Sequence, residues 1–196
     1  MIVKGSAVKI KKLTPLDAVP FRHLMLEGCR SSVTDVGMMA DEWGGENTLS
    51  VLVEKFHSVW SEPDHFILGA WMEGKLLGTL GFSRGNRVMS QHYAMLWAMH
   101  VDKDYRGLGI ARTLLKEIIK ESRGMRGLEM LRLKVRSNNE PACRVYRSVG
   151  FKAVGTEPKV MKLGNEYIDQ TWMVRELTDI HKTSSEENEA IHGKSR

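Results

Sequence analysis

The chain has 196 residues, of which 42% are hydrophobic, and it carries a formal net charge of +5 at pH 7. This length and apolar fraction predict one domain with a substantial core. Charged residues interrupt each apolar run well before the roughly 18 residues that a membrane span needs, and the amino terminus lacks the apolar core of a signal peptide. A cytoplasmic protein is therefore expected.

Neither the cysteines nor the basic residues point to a particular partner. Cys29 and Cys143 lie far apart, without the spacing of a zinc site or of a disulfide framework, so no metal is predicted. The lysines and arginines are spread along the chain, with the densest group around one predicted strand, residues 130–135. A ligand with several phosphates and a solvated surface explain this excess, so nucleic acid is a disfavoured partner.

The first half of the chain predicts a strand, two helices and a hairpin. Residues 8 and 10 alternate with lysines, and Thr14-Pro15 begins a helix that runs to residue 29 or 30, although Pro20 favours a break or a later start. Glycines predict a long loop over 34–47. The elements that follow are a helix over 48–60 and a hairpin of two strands over 66–72 and 75–82.

The second half alternates strands with helices. The predicted elements are a strand over 89–101, a helix over 112–122, a strand over 130–135, a helix between Asn139 and Gly150, and strands over 151–154 and 167–177. Together the elements predict a mixed sheet of about seven strands with helices on both faces, in one domain over 1–177. Residues 178–196 are polar and without an apolar period, which predicts a disordered tail.

A glycine turn links the strand over 89–101 to the next helix. Its sequence is Arg106-Gly107-Leu108-Gly109-Ile110-Ala111, followed by Arg112. Glycines allow positive φ and close approach of the backbone to a ligand, and the amides of a helix start converge on an anion. The pattern fits neither the dinucleotide fingerprint nor the P-loop. It predicts a site for phosphate or pyrophosphate, with the two arginines as fixed cations.

A second motif lies in the helix that starts at Asn139. Asn139 is suited to cap the helix, Pro141 falls in its first turn, and Gly150 ends it. Ala142 and Tyr146 are four positions apart and therefore share a helix face.

With both motifs, the sequence resembles the GCN5-related N-acetyltransferase (GNAT) superfamily. Arg106-x-x-Gly109-x-Ala111 matches the family motif that holds the pyrophosphate of acetyl-coenzyme A, and the residues from Asn139 to Phe151 match the later Asn-x-x-Ala-x-x-x-Tyr-x-x-x-Gly-Phe motif. The resemblance extends loosely from about residue 8 to 177. It implies an α/β fold with a mostly antiparallel sheet that splays between its fourth and fifth strands.

The resemblance also implies where acetyl-coenzyme A binds. Main-chain groups of the splayed strand hold the pantetheine arm, the glycine turn holds the pyrophosphate, and Asn139 contacts the cofactor besides capping its helix. The cofactor residues implied in this way are Met99, His100, Val101, Arg106, Gly107, Leu108, Gly109, Ile110, Ala111, Arg112, Asn139, Ala142 and Tyr146.

The proton chemistry is only partly assigned. Tyr146 is the expected general acid, because a phenol and a thiol have similar pKa values. Many family members carry a glutamate as base at the position of Met95, which cannot accept a proton. Tyr93 shares a strand face with Met95 and is the expected replacement, while His92 and His100 lie on the other face unless a β-bulge exchanges the faces. A water relay to Asp41 or Glu42, or an amine that arrives neutral, would need no strand base.

The acceptor site is expected in the loop over 35–46 and in the late hairpin. Asp41 and Glu42, with Asp35 and Glu46, would attract a cationic amine, and Trp43 would cover its carbon skeleton. Tyr167 and Asp169 lie on the hairpin that borders acceptor sites in the family. A solvated acidic loop is an equally good interpretation.

The predicted function is acetyl-coenzyme A dependent N-acetyl transfer to a primary amine, in a small molecule, an amino acid or a protein amino terminus. The amine attacks the thioester directly in a ternary complex. Two alternatives stay open: a non-catalytic acyl-coenzyme A sensor of the same fold, which the missing glutamate favours, and a basic nucleic-acid binder. A homodimer is also left open.

Overall fold

The computed structural model describes residues 2–3, 5–31, 39–60 and 62–177. The strands in these ranges are Ile2–Val3 (β1), Ser6–Ala7 (β2), Lys9–Lys12 (β3), His65–Met72 (β4), Lys75–Arg84 (β5), Tyr93–Val101 (β6), Met130–Arg136 (β7), Lys152–Leu163 (β8) and Glu166–Glu176 (β9). The α-helices are Ala18–Ser31 (α1), Ala40–Glu46 (α2), Leu49–Ser58 (α3), Ile110–Arg123 (α4) and Glu140–Ser148 (α5). Short 3-10 turns occur at Pro15–Asp17, Val88–Ser90 and Lys103–Tyr105.

Seven strands form one sheet in the order β3-β4-β5-β6-β7-β9-β8. All neighbours are antiparallel except β6 and β7, which are parallel. The strands β1 and β2 form a separate pair, which the sequence analysis did not predict. The predicted mixed, mostly antiparallel sheet of about seven strands is confirmed.

Helices cover both faces of the sheet, as predicted. One buried cluster joins α4 and α5 to the sheet through side chains such as Leu114, Ile118 and Phe151. A second cluster joins α1, α2 and α3 to the opposite face around Phe21 and Phe56, whose rings meet edge to face at 5.6 Å. Among the described helices, none combines the length and the hydropathy that a membrane crossing requires.

The two helices beside the glycine turn and the second motif follow from their sequences. Apolar residues of α4 recur at helical spacing, and its last turn carries Lys120 and Arg123, which complement the negative end of the helix dipole. In α5 the Oδ1 atom of Asn139 accepts a hydrogen bond from the Ala142 amide at 3.1 Å, as predicted for the cap.

The sheet opens between β6 and β7. Pairing runs from Tyr93 with Met130 to Leu96 with Leu133, and in the described chain the two strands do not pair beyond that point. On its other side β6 stays paired with β5 as far as Val101. The predicted splay between the fourth and fifth strands of the main sheet is therefore confirmed.

The predicted loop over 34–47 is wrong in part, because residues 40–46 form α2. Its glycines predicted a loop, yet Trp43 is only 7% exposed and packs against Phe21. The Glu42 carboxylate accepts a hydrogen bond from the Met39 amide at the start of the helix. The Arg22 guanidinium donates hydrogen bonds to the carbonyls of Gly44 and Asn47. Tertiary packing thus outweighs the low helix propensity of glycine. Residues 32–38, which include Asp35, lie outside the described residues.

Two strand boundaries also differ from the prediction. The strand expected from residue 89 begins at Tyr93, because the Ser90 hydroxyl and amide both bond to the Arg87 backbone and close a turn there. The strand expected over 151–154 continues to Leu163. Pro158 is tolerated in it because β8 is the edge strand and its register shifts there. The tail over 178–196 lies outside the described residues.

We expect Leu114→Ala to lower the free energy of unfolding by about 2–5 kcal/mol, because Leu114 is fully buried between α4 and the sheet. The matched control is Leu16→Ala, since Leu16 is 92% exposed and its truncation should change stability by less than about 0.5 kcal/mol. Urea unfolding of both variants measures the difference. Equal losses would contradict the described packing.

Candidate active site

A cavity of about 810 Å³ opens where β6 and β7 diverge, and we call it the cleft. The glycine turn and the start of α4 form one end, α5 forms a wall, and β8 and β9 contribute one side chain each. Twelve of the thirteen predicted cofactor residues line it. The exception is Leu108, whose side chain is 41% exposed and does not line the cleft.

The glycine turn has the predicted conformation. Gly107 and Gly109 have φ values of +75° and +81°, and α4 begins directly after Gly109. A Cβ built on Gly107 would meet no atom within 4 Å, so the backbone here faces open space. The amides of the first helical turn have no acceptor inside the helix and are available to an anion.

The charged side chains that line the cleft are all positive. The charged side chains that line it are Arg106, Arg112, Lys134 and Arg136, and no aspartate or glutamate of the described residues is among the lining. The Nε atom of Arg106 donates to the Val101 carbonyl at 3.1 Å, which fixes this side chain beside the turn. A cavity lined only by cations attracts a polyanion.

Tyr146 lies in the α5 wall of the cleft and is 7% exposed. Its ring meets Phe151 at 6.0 Å, so the two aromatic residues of the second motif pack together. Burial raises the pKa of the Tyr146 hydroxyl well above its ordinary value, because the charged phenolate loses hydration. The side chain therefore stays neutral and keeps its proton at physiological pH.

A β-bulge lies in β6 beside the opening. Thr79 pairs with His100 and Gly81 with Trp97, so β6 has one residue more than β5 between these pairs. Ala98 has a φ of +48°, and the buried Thr79 hydroxyl donates to its carbonyl at 2.9 Å. This bond to the adjacent strand supports a conformation that a residue with a Cβ adopts rarely.

The bulge exchanges the faces of β6, the case that the sequence analysis left open. Before it, Leu96 faces the α4 side and Trp97 faces the α1 side. After it, Met99 and Val101 face the α4 side, and His100 packs against Gly28 of α1. His100 therefore shares a face with Met95 and Trp97 and also lines the cleft.

The structure does not bring Tyr93 to the cleft. Tyr93 stands at the start of β6, where the strand is still paired with β7, and the Arg132 guanidinium lies 4.0 Å from its ring centroid. His92 contacts the edge of the same ring. Met95 does line the cleft, so an apolar side chain stands where the resemblance led us to expect a glutamate.

The four predicted acceptor residues all lie outside the cleft lining. Trp43 is buried in the core behind α1, and Asp41 and Glu42 lie with it on α2. Tyr167 is 55% exposed. The Nζ atoms of Lys159 and Lys162 each lie 5.1 Å from the centroid of its ring. The Asp169 carboxylate accepts a hydrogen bond from the Lys159 amide, and Glu46 is the last residue of α2. Neither residue is part of the cleft lining.

The cleft lining also contains side chains that were not predicted. The residues that the sequence analysis missed include Met25, Trp97, Tyr105, Met161 and Gln170. Trp97 donates from Nε1 to the Ser83 hydroxyl at 2.9 Å, and its ring lies 5.3 Å from that of Trp60. The two-residue period from Met95 was a signal for Trp97. Nothing local predicted Gln170, because its position depends on the register of β9 against β7.

The sequence model of the Acetyltransferase (GNAT) family matches residues 38–151. The chain belongs to this family. It is 37% identical over 100 residues to the N-alpha-acetyltransferase RimI of Mycobacterium tuberculosis, a match that covers 51% of this chain and 60% of the relative. It is 30% identical over 134 residues to the L-amino acid N-acetyltransferase AaaT of Escherichia coli, covering 66% of this chain and 82% of that protein.

Solved structures of GNAT proteins share the fold. A GNAT acetyltransferase from Streptococcus pneumoniae superposes with a TM-score of 0.79 at 21% identity, covering 87% of this chain and 99% of the other. YncA, a putative acetyltransferase from Salmonella typhimurium solved with acetyl-CoA, superposes with a TM-score of 0.70 at 18% identity, covering 89% and 96%.

The cleft of this GNAT protein fits acetyl-coenzyme A, the cofactor of the family. The open backbone at Gly107, the first amides of α4 and the cationic lining suit a pyrophosphate and a further phosphate. The unpaired stretch of β6 suits a ligand with amide groups, because backbone donors and acceptors left by the splay need partners.

We expect Gly107→Ala to weaken acetyl-coenzyme A binding at least about tenfold, which corresponds to about 1.4 kcal/mol. The added methyl group would occupy space at the turn and strain a backbone with φ of +75°. Isothermal titration calorimetry with acetyl-coenzyme A measures the loss.

The control is Gly5→Ala. Gly5 has a φ of +84° and equally open surroundings, but it lies in the turn between β1 and β2. Both substitutions should cost about 1–2 kcal/mol of stability. Unchanged affinity in Gly107→Ala would show that the turn does not contact the cofactor.

Proposed function

We propose that this GNAT protein transfers the acetyl group of acetyl-coenzyme A to the primary amine of a small molecule, an amino acid or a protein amino terminus. The observation that supports this proposal is the buried Tyr146 side chain, which lines the same cleft as the glycine turn. A proton donor and a diphosphate cradle at one cavity suit a reaction that releases a thiolate.

Tyr146 is the proposed general acid. Acetyl-coenzyme A, when bound, supplies a thioester whose sulfur leaves as the amine attacks the carbonyl carbon. The buried phenol stays protonated and can donate to that sulfur.

The bulged segment of β6 is the proposed site for the reacting carbonyl. The segment over residues 97–101 borders the opening, and β7 no longer pairs with it. An amide there would stabilise the oxyanion that forms as the amine attacks, without reorganising, because the bulge is held by Thr79.

The acceptor is proposed to enter from the α1 side of β6. The side chains at that end are Met25, Trp97 and Gln170, which give an apolar wall with one amide group. The names of the RimI and AaaT relatives refer to N-alpha-acetylation and to L-amino acids. An α-amino group attached to an apolar side chain is therefore the acceptor class that we favour.

A non-catalytic acyl-coenzyme A sensor is the second candidate. It is favoured by Met95, which puts an apolar side chain where the family resemblance implies a glutamate. A sensor would bind acetyl-coenzyme A without releasing thiol in the presence of any amine. The cytoplasmic location, the single domain over 1–177 and the homodimer stay predictions.

We expect Tyr146→Phe to lower kcat about 10²-fold while acetyl-coenzyme A affinity changes little, because only the hydroxyl is removed. Thiol release measured across free amino acids and short peptides tests this. The control is Tyr167→Phe, which removes a hydroxyl from an exposed tyrosine away from the cleft and should leave kcat unchanged. Absence of turnover in the parent with every amine would support the sensor instead.

The raised pKa of Tyr146 also predicts the alkaline side of the pH profile. A group whose pKa lies above its ordinary value keeps its proton as the pH rises through that value, which is about 10 for a phenol. We expect kcat to stay level between pH 8 and about 10, measured with saturating amine. A loss of kcat with a midpoint below about pH 10 would argue against Tyr146 as the acid.

A further inference from the structure

A second cavity, of about 500 Å³, lies on the α1 side of the sheet. It is lined by residues of α1, of the turn between β4 and β5 with the start of β5, and of the end of β6 with the turn that follows it. His100 lines both this second cavity and the cleft, and it is 6% exposed. A single imidazole thus forms part of the wall between the two spaces.

Two features of the chain place the His100 ring between the two cavities. The bulge at Ala98 turns His100 to the α1 side, as described above. On α1, Gly28 provides the space for the ring, because a Cβ there would lie 2.7 Å from Cε1 and 2.8 Å from Nε2 of His100. Glycine inside a helix costs about 1 kcal/mol relative to alanine. The space for the imidazole therefore lowers the stability of α1.

An amine that is deprotonated inside the cleft needs a group there that accepts its proton. An amine is a nucleophile only when neutral, and it loses a further proton when the amide forms. The side chains of the described cleft lining that can titrate are His100, Tyr105, Arg106, Arg112, Lys134, Arg136 and Tyr146. Among these types, only imidazole exists largely unprotonated near neutral pH.

We propose that His100 accepts the proton of the acceptor amine and releases it through the second cavity. The proposal rests on the acetyl transfer proposed above. The amine nitrogen forms the C–N bond, and its proton passes to an unprotonated nitrogen of His100. The C–S bond breaks, the sulfur takes the Tyr146 proton, and solvent returns the proton of the imidazolium to the phenolate, so atoms and charge balance.

Carboxylates outnumber ammonium groups around the second cavity. Its titratable and charged lining residues come from α1, the β4–β5 turn and the end of β6: His23, Glu27, Glu73, Lys75, Asp102, Lys103 and Asp104. Four are carboxylates and two are ammonium groups. On the cleft side, the titratable and charged lining residues are Tyr105, Arg106, Arg112, Lys134, Arg136 and Tyr146. The acidic excess lies on the side where the proton would leave.

Asp102 lies two residues after His100 in the sequence. Burial alone would raise its pKa, but the Lys75 ammonium at 2.8 Å and the Asp104 amide outweigh burial, so the pKa of Asp102 lies below its ordinary value. This side chain is therefore ionised over the whole range in which an imidazole titrates.

The first test compares the parent protein with His100→Gln and His100→Asn. Calorimetry with acetyl-coenzyme A shows that each variant is folded and retains cofactor binding. We expect kcat/KM to fall about 10²-fold at pH 7. Below about pH 6, the slope of log kcat/KM against pH should fall from about 2 in the parent, for amine and imidazole, to about 1 in the variants, for the amine alone.

The control is His92→Gln. His92 is half-buried at the start of β6 and lines neither cavity, so its replacement should change neither the rate nor the slope. In His100→Ala, added imidazole should restore part of kcat, since the ring would enter the space that the side chain leaves. A structural role of His100 predicts neither the change of slope nor the rescue.

A second pair of variants moves the imidazole without replacing it. Gly28→Ala places a methyl group against the His100 ring and should lower kcat at least tenfold with cofactor affinity unchanged. Gly45→Ala is the control, because a Cβ at Gly45 in α2 would meet no atom within 4 Å.

The outcomes separate this proposal from the proposed function. If the parent binds acetyl-coenzyme A but acetylates no amine, acetyl transfer is wrong and the role of His100 is wrong with it. If the parent is active and both His100 variants keep its rate and its slope, acetyl transfer stands and the assignment of His100 is overturned.

Discussion

The separation of β6 from β7 is the constraint on which the rest of the site depends. Their parallel pairing ends at Leu96 and Leu133, while the pairing of β6 with β5 continues to Val101. A sheet interior does not leave backbone groups unpaired unless something else satisfies them. The opening gives a ligand access to a strand edge that would otherwise be hidden in the middle of the sheet.

The bulge makes this edge asymmetric. Without the extra residue, Met99 and Val101 would share a face with Trp97, and His100 would face α4. With it, apolar side chains cover the α4 side and the imidazole faces α1. The positive φ of Ala98 is supported by the hydroxyl of Thr79, a buried group on the neighbouring strand. One hydrogen bond between strands thus helps to determine which side chains meet on each side of the opening.

The sequence was informative where a local pattern has a local cause. The glycine turn, the cap at Asn139 and the buried Tyr146 all follow from neighbouring residues, and the structure places them at one cleft. Trp43 shows the limit, because its burial depends on Phe21, which is distant in the chain. Gln170 likewise reaches the cleft only through the register of β9. Long-range packing of this kind leaves no signal at the residue itself.

The distribution of charge across β6 gives the site a direction. Arginines and lysines line the cleft, and carboxylates predominate in the second cavity on the opposite face. Asp102, which directly follows β6, has a pKa below its ordinary value because the Lys75 ammonium and the Asp104 amide outweigh its burial, so a carboxylate charge lies at this end of the strand. A positive charge is therefore less opposed on the α1 side of β6 than in the cleft, and the proposed release of the amine proton through His100 follows that direction.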